Sequence, residues 1–152
     1  MEQLFDNSND HINVGEIPLN NQSFTIECWA KREGIGDWDL IVGQGTSDDN
    51  HNLHIGFRDS NVFTLRFGNN DLNSPAYTDR DWHHWAVSYD ADSMAQLIYR
   101  DGVVVASRTA SSNYIGTGAL LIGRFGPEIH LTIPSCQKNT PDKEYSKNKF
   151  PI

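Results

Sequence analysis

Gln22-Ser-Phe-Thr-Ile-Glu-Cys-Trp-Ala-Lys31 decides the architecture of this chain. Phe24, Ile26, Cys28 and Ala30 take one side of an extended backbone, and Thr25, Glu27, Trp29 and Lys31 take the other. Successive side chains of a strand point to opposite faces, so this period of two marks a strand with one dry and one wet side. A helix would need its apolar residues three and four apart. They are not so placed.

Outward from that stretch the same habit recurs. Residues 38–44, 53–58, 62–67, 82–90, 94–99, 103–107 and 119–125 read as strands. Asp101-Gly102 sits between two of them and predicts a tight hairpin, because both residues tolerate positive φ. Before the central stretch, Asp6-Asn-Ser-Asn-Asp10 is a run of turn formers, and His11-Ile-Asn-Val-Gly15 alternates with Ile12 and Val14 expected inward. Residues 69–80, polar and broken by Pro75, read as a long loop. No helical periodicity occurs. About ten short strands at regular spacing predict an all-β protein, a two-sheet antiparallel sandwich or a barrel.

The bulk numbers narrow the function. The chain has 152 residues, 38% hydrophobic and 21% charged, enough for one domain that needs no staples. A formal net charge of -8 offers no basic stripe for phosphates, which excludes nucleic acid as the expected partner. No run approaches the ~20 apolar residues that span a bilayer, so membrane insertion is not expected. The two cysteines, Cys28 and Cys136, do not make a disulfide framework, and Cys28 reads as a small buried hydrophobe. The first residues lack the basic head and apolar stretch of a secretory signal, which taken alone keeps the chain inside the cell. A domain cut from a longer exported protein has the same start. After Pro127 the sequence turns polar, Lys-rich and Pro-broken, with 128–133 as one further candidate strand. The expected organisation is a sandwich domain over 1–133 and an irregular tail over 134–152.

Four runs in register resemble a known family: Phe24-Thr-Ile-Glu-Cys-Trp-Ala-Lys31, Trp82-His-His-Trp-Ala-Val-Ser-Tyr-Asp90, Leu97-Ile-Tyr-Arg-Asp-Gly102 and Leu120-Leu-Ile-Gly-Arg124. In order and spacing they are similar to laminin-G-like, concanavalin-A-like jelly-roll domains, over roughly residues 3–125. The resemblance implies a non-catalytic adhesion or carbohydrate-binding module, often with calcium on one rim, within a larger extracellular protein. It implies a glycan or glycoprotein as partner. The acidic closing strand of that family has no counterpart after Arg124. Either 128–133 fills its place, or an open edge is left for self-association, which gives the alternative of an interaction domain without a small ligand.

Strand parity places the loops. If all neighbours run antiparallel, loops 16–22, 45–51 and 69–80 share one end, and 6–10, 32–37 and 91–93 share the other. Calcium takes oxygen ligands from carboxylates, amides and backbone, so the shared rim nominates Asp48, Asp49 and Asp71 for a calcium site and Asn50 and Asn70 for ligand contact. Sugars also bind flat aromatic faces edged by polar groups. Tyr77, in the long loop, is the expected surface aromatic; Trp29 and Trp38 are further candidates, while Trp82 and Trp85 read as structural. His51 and His54 lie near the Asp48-Asp49 pair, yet nothing enforces a tetrahedral zinc site. Catalytic patterns are missing: a retaining glycosidase needs two carboxylates about 5–5.5 Å apart, and no Glu-x-Asp-x-x-Glu run occurs. Asp37-Trp-Asp39, at a strand's start, reads as a solvated turn.

Overall fold

The computed structural model describes residues 11–32 and 34–123, with the backbone of two short strands at 2–3 and 136–137. The predicted turn at 6–10, the candidate strand at 128–133 and the boundary near 133 lie outside the described residues. Twelve strands occur among the described residues: β1 (Glu2–Gln3), β2 (Ile12–Glu16), β3 (Phe24–Ala30), β4 (Asp39–Gly45), β5 (Asn52–Phe57), β6 (Val62–Arg66), β7 (Leu72–Ala76), β8 (His83–Asp90), β9 (Ala95–Arg100), β10 (Val103–Thr109), β11 (Ala119–Ile122) and β12 (Cys136–Gln137). They form two six-stranded antiparallel sheets, ordered β1-β12-β3-β8-β9-β10 and β2-β11-β4-β5-β6-β7. The all-β sandwich expected from the alternation is the fold.

The dry residues of each strand meet between the sheets. Phe63 stacks on Trp85 at 4.3 Å with planes 7° apart, and Phe57 meets both rings edge-on. Trp85, Val87, Tyr89, Leu53, Ile55 and Phe67 are all buried around them. Below this layer Arg32 and Asp39, both buried, pair at 2.8 Å. The predicted hairpin forms: Asp101 at φ 51° and Gly102 at φ 79° connect β9 to β10.

Two expectations are corrected. Ile12 and Val14 are 36% and 45% exposed. Strand β2 ends its sheet, paired only with β11 through a register shift, and edge placement leaves its apolar residues facing out. The loop predicted over 69–80 contains strand β7. Pro75 hid it from the alternation rule, but β7 is the other edge of that sheet, where a missing N–H costs no ladder bond. The extra strand reverses every later parity. Loop 67–71 stays with 17–23 and 46–51, while 77–82 moves to the opposite end, where Tyr77 N donates to Asn61 O. Turn 91–94 moves to the end first assigned to 16–22, and Ala91 N accordingly donates to Ser23 Oγ at 2.9 Å.

Candidate functional site

The end nominated for calcium is an assembled structural junction. Gly68, at φ 76°, packs so tightly on loop 46–51 that a Cβ there would lie 2.9 Å from the carbonyl oxygen of Asp48. Asn70 is buried, donates to Asn50 Oδ1, and accepts from Ser111 N and Oγ at 2.8 and 2.9 Å. Asn50 and Asn70 therefore tie loops together rather than face a ligand. Asp48 and Asp49 are exposed, with Asp48 Oδ2 accepting from Thr46 Oγ1. Asp71 turns to Arg66 and Arg58, 3.6 and 3.8 Å away. Burial pushes its carboxyl up, against the pull of those guanidiniums. Among the described residues no three His, Cys, Asp or Glu side chains converge to hold a metal. Two guanidiniums answer Asp71, and among the described residues it does not join Asp48 and Asp49 in a metal-holding cluster.

Tyr77 also differs from its expected role. Its ring meets Trp85 edge-on at 5.6 Å, and the Arg100 guanidinium lies 4.1 Å above it, so it closes the core at the far end. Asp39, expected in a solvated turn, is instead buried against Arg32. Burial pushes its carboxyl up to about 6 even though the Arg32 hydrogen bond and charge pull it down.

The outer faces of the two sheets contrast. On β5 and β6, His54 and Arg66 are cross-strand partners pointing away from the core. Trp38 packs edge-on against His54 at 5.3 Å, and Arg58 lies 4.8 Å over Trp38. His54 is 6% exposed, and burial, with Arg66 and Arg58 nearby, pushes its imidazole down to about 3. That face is filled by the chain's own side chains.

The other sheet is open. Thr25, His84, Ala86, Ser88, Tyr99 and Gly102 line a cavity of about 270 Å³ on its outer face. Five of the six follow from strand parity, Thr25 on β3, His84, Ala86 and Ser88 on β8 and Tyr99 on β9, while Gly102 comes from the turn after β9. The same parity sends Glu27 and Trp29 of β3 outward. Trp29 is the cross-strand partner of His84, their rings 5.6 Å apart, and Glu27 Oε2 lies 3.6 Å from His84 Nε2. Two aromatic side chains thus flank hydroxyls and an imidazole above a floor of Ala86. Trp29 was legible in the sequence as an outward aromatic. Tyr99 and His84 were not distinguishable there, because only register brings them to Trp29.

The turn beside the cavity is held by charge. His83 places one ring nitrogen 2.7 Å from Asp101 and the other 2.8 Å from Asp79, and Arg100 donates to Asp79 at 2.8 Å. Burial alone would raise both carboxyls, but the Arg100 charge and the His83 hydrogen bond, with His84 N–H at Asp101, hold them below the ordinary range. A depressed folded-state pKa contributes stability above the unfolded value of about 3.9 and loses it as pH falls through the folded value. We expect Asp79→Asn to lower the unfolding temperature at pH 7 and to converge with the parent near pH 2. Thermal melts from pH 7 to 2 measure this; a gap that persists at pH 2 contradicts it.

Comparison with known proteins agrees with the fold. Residues 6–127 match the family described as the concanavalin A-like lectin/glucanases superfamily, of laminin G type. Comparison with curated protein sequences found no match. Among solved structures, the chain is similar to domain 4 of an extracellular arabinanase from Geobacillus stearothermophilus in complex with arabinotriose, at 16% identity and TM-score 0.65, covering 88% of this chain and 66% of that one. It is similar to a carbohydrate-binding protein described from Bacteroides ovatus, at 18% identity and TM-score 0.64, covering 84% of this chain and 39% of that one. The sialidase module CBM40 of Ruminococcus gnavus, bound to α2,3-sialyllactose, matches at 12% identity and TM-score 0.59, covering 89% of this chain and 85% of that one. The chain therefore spans less than two thirds of the first two. At these identities the solved structures testify to fold alone, whereas the sequence match covers most of the chain: it belongs to the concanavalin A-like lectin/glucanases superfamily.

Proposed function

We propose that this chain is a non-catalytic glycan-binding module of a larger extracellular protein, and that its ligand lies on the outer face of the sheet containing β3, β8 and β9. One observation carries the proposal: an open cavity, lined by Tyr99 and with Trp29 beside its His84, that offers the hydroxyls of Thr25 and Ser88 and the imidazole of His84. Sugar rings present an apolar C–H face and a rim of hydroxyls. Binding sites are concave and largely apolar, with a few placed polar groups, and this one matches that chemistry. The fold neighbours solved with arabinotriose and sialyllactose support the same class of ligand. Among the described residues the cavity lining contains no carboxylate, so these supply neither member of a glycosidase pair.

A glycan array probed with the whole chain, with and without a calcium chelator, tests this. We expect retention of a defined set of oligosaccharides, unchanged by chelation. An empty array contradicts the proposal.

A second reading has one observation in its favour. On β3 the inner residues Phe24, Ile26 and Cys28 are half-buried, whereas Trp85, Val87 and Tyr89 of neighbouring β8 are buried. Among the described residues, β12 pairs with β3 only at Ala30 and Trp29. Before Trp29 that side of β3 has no strand partner among the described residues, and such an open stretch suits pairing with another chain. Light scattering on the same sample separates the two readings: mass that rises with concentration, beside an empty array, favours the edge.

A further inference from the structure

We infer that the cavity takes an uncharged oligosaccharide laid across the strands and rejects sugars bearing carboxylate or sulfate. This deepens the glycan-binding proposal and rests on it. The first argument is shape. Glu27, Ala86, Tyr99 and Val104 are successive cross-strand partners, from β3 through β8 and β9 to β10, and so point to one face. Three inter-strand spacings make this row about 14 Å long. Val104, 48% exposed, extends the apolar floor beyond Tyr99. Parallel to the row runs the Trp29–His84 pair. A strip of this length suits several linked rings better than one.

The second argument is charge. Among the described residues no Lys or Arg lines the cavity. The nearest arginine along β9, Arg100, is engaged by Asp79 and lies over Tyr77 on the inner side. The carboxylates at the rim are exposed ones: Glu27 stands 3.6 Å from His84, and Asp101 accepts from His84 N at 3.0 Å beside Gly102. The His84 imidazole thus already has the Glu27 carboxylate beside it, while Asp101 sits at the His84 backbone N–H and on the His83 ring. An anionic sugar entering here would meet the negative charge of Glu27 with no cation among the described lining residues to answer it, and like-charge opposition is how a site excludes wrong ligands. Neutral hydroxyls suffer no such penalty and find donors and acceptors in Thr25, Ser88, His84 and Glu27.

The test uses matched glycan pairs, each a neutral oligosaccharide and its sialylated or sulfated form, titrated into the whole chain by calorimetry at low and physiological salt. The expected result is at least tenfold tighter binding of the neutral members, with the preference narrowed by salt and by Glu27→Lys. Equal or tighter binding of the acidic members overturns this inference while leaving the glycan-binding proposal standing. A preference unchanged in Glu27→Lys overturns the charge argument. Binding of neither class removes the glycan-binding proposal, and this inference with it.

Discussion

Asp39→Ala costs about 3–5 kcal/mol of folding stability, the typical penalty for stripping one partner from a buried ion pair. Arg32 is 2% exposed, and its Nε donates to Asp39 Oδ2 at 2.8 Å. Without the carboxylate, the guanidinium keeps Asn61 Oδ1 at 2.9 Å, the Asp37 carbonyl at 3.1 Å and the face of Phe57 at 4.7 Å. None of these carries a full negative charge, so an uncompensated cation stays in the interior. The raised carboxyl of Asp39 indicates that the pair itself does not fully offset its desolvation. A double replacement by apolar residues, Arg32→Met with Asp39→Leu, should therefore cost much less than either single change. Urea unfolding of the three variants decides this. Equal losses in single and double variants would show that the contribution comes from packing around the pair rather than from its charge. Because Asn61 also accepts from Gly36 N at 2.8 Å, the pair ties Gly36 and Asp37 of the preceding loop to the start of β4.

Why the sequence revealed so much of the fold and so little of this pair follows from range. Alternation is local: Phe24, Ile26 and Cys28 announce a strand whatever lies elsewhere, and Asp101-Gly102 announces its turn unaided. Family resemblance, set on residues 3–125, agrees with the match over 6–127 because it drew on four such local runs. Arg32 and Asp39, by contrast, are joined across a loop, and Asn61 reaches them from 29 positions beyond Arg32. No periodicity records that. Strand β7 was hidden for a different reason: Pro75 and Asn73 carry turn chemistry, and only an edge position makes a strand of them. Missing one strand inverted the parity of everything after it and sent turn 91–94 to the wrong end. Parity rightly brought loops 46–51 and 67–71 together, but several of their polar side chains have partners within the chain. Asp71 has its own arginines, and Asn70 is spent on Asn50 and Ser111. Parity says which loops meet, not which side chains are already satisfied.

Trp29→Ala should weaken glycan capture by at least about 30-fold, the ~2 kcal/mol expected of an aromatic anchor at the centre of an interface. The indole is half-buried beside the His84 ring at 5.6 Å, on the face of the sheet opposite to that of Trp85. Its removal should thus leave the unfolding temperature within a few degrees of the parent. Tyr99→Ala, one strand beyond Ala86, should act in the same direction. Trp38→Ala supplies the opposing control. Trp38 packs on His54 and beneath Arg58 on the other sheet, so its loss should destabilise the fold while leaving affinity per folded molecule unchanged. The two tryptophans make the assignment of the face reversible by experiment. If Trp38→Ala abolishes capture and Trp29→Ala does not, the ligand lies over β5 and β6. The crowded cluster of Arg58, Arg66 and Asp71 would then have to open to admit it. Affinity measured by calorimetry, with folded fraction measured by circular dichroism on the same samples, distinguishes a lost contact from a lost fold.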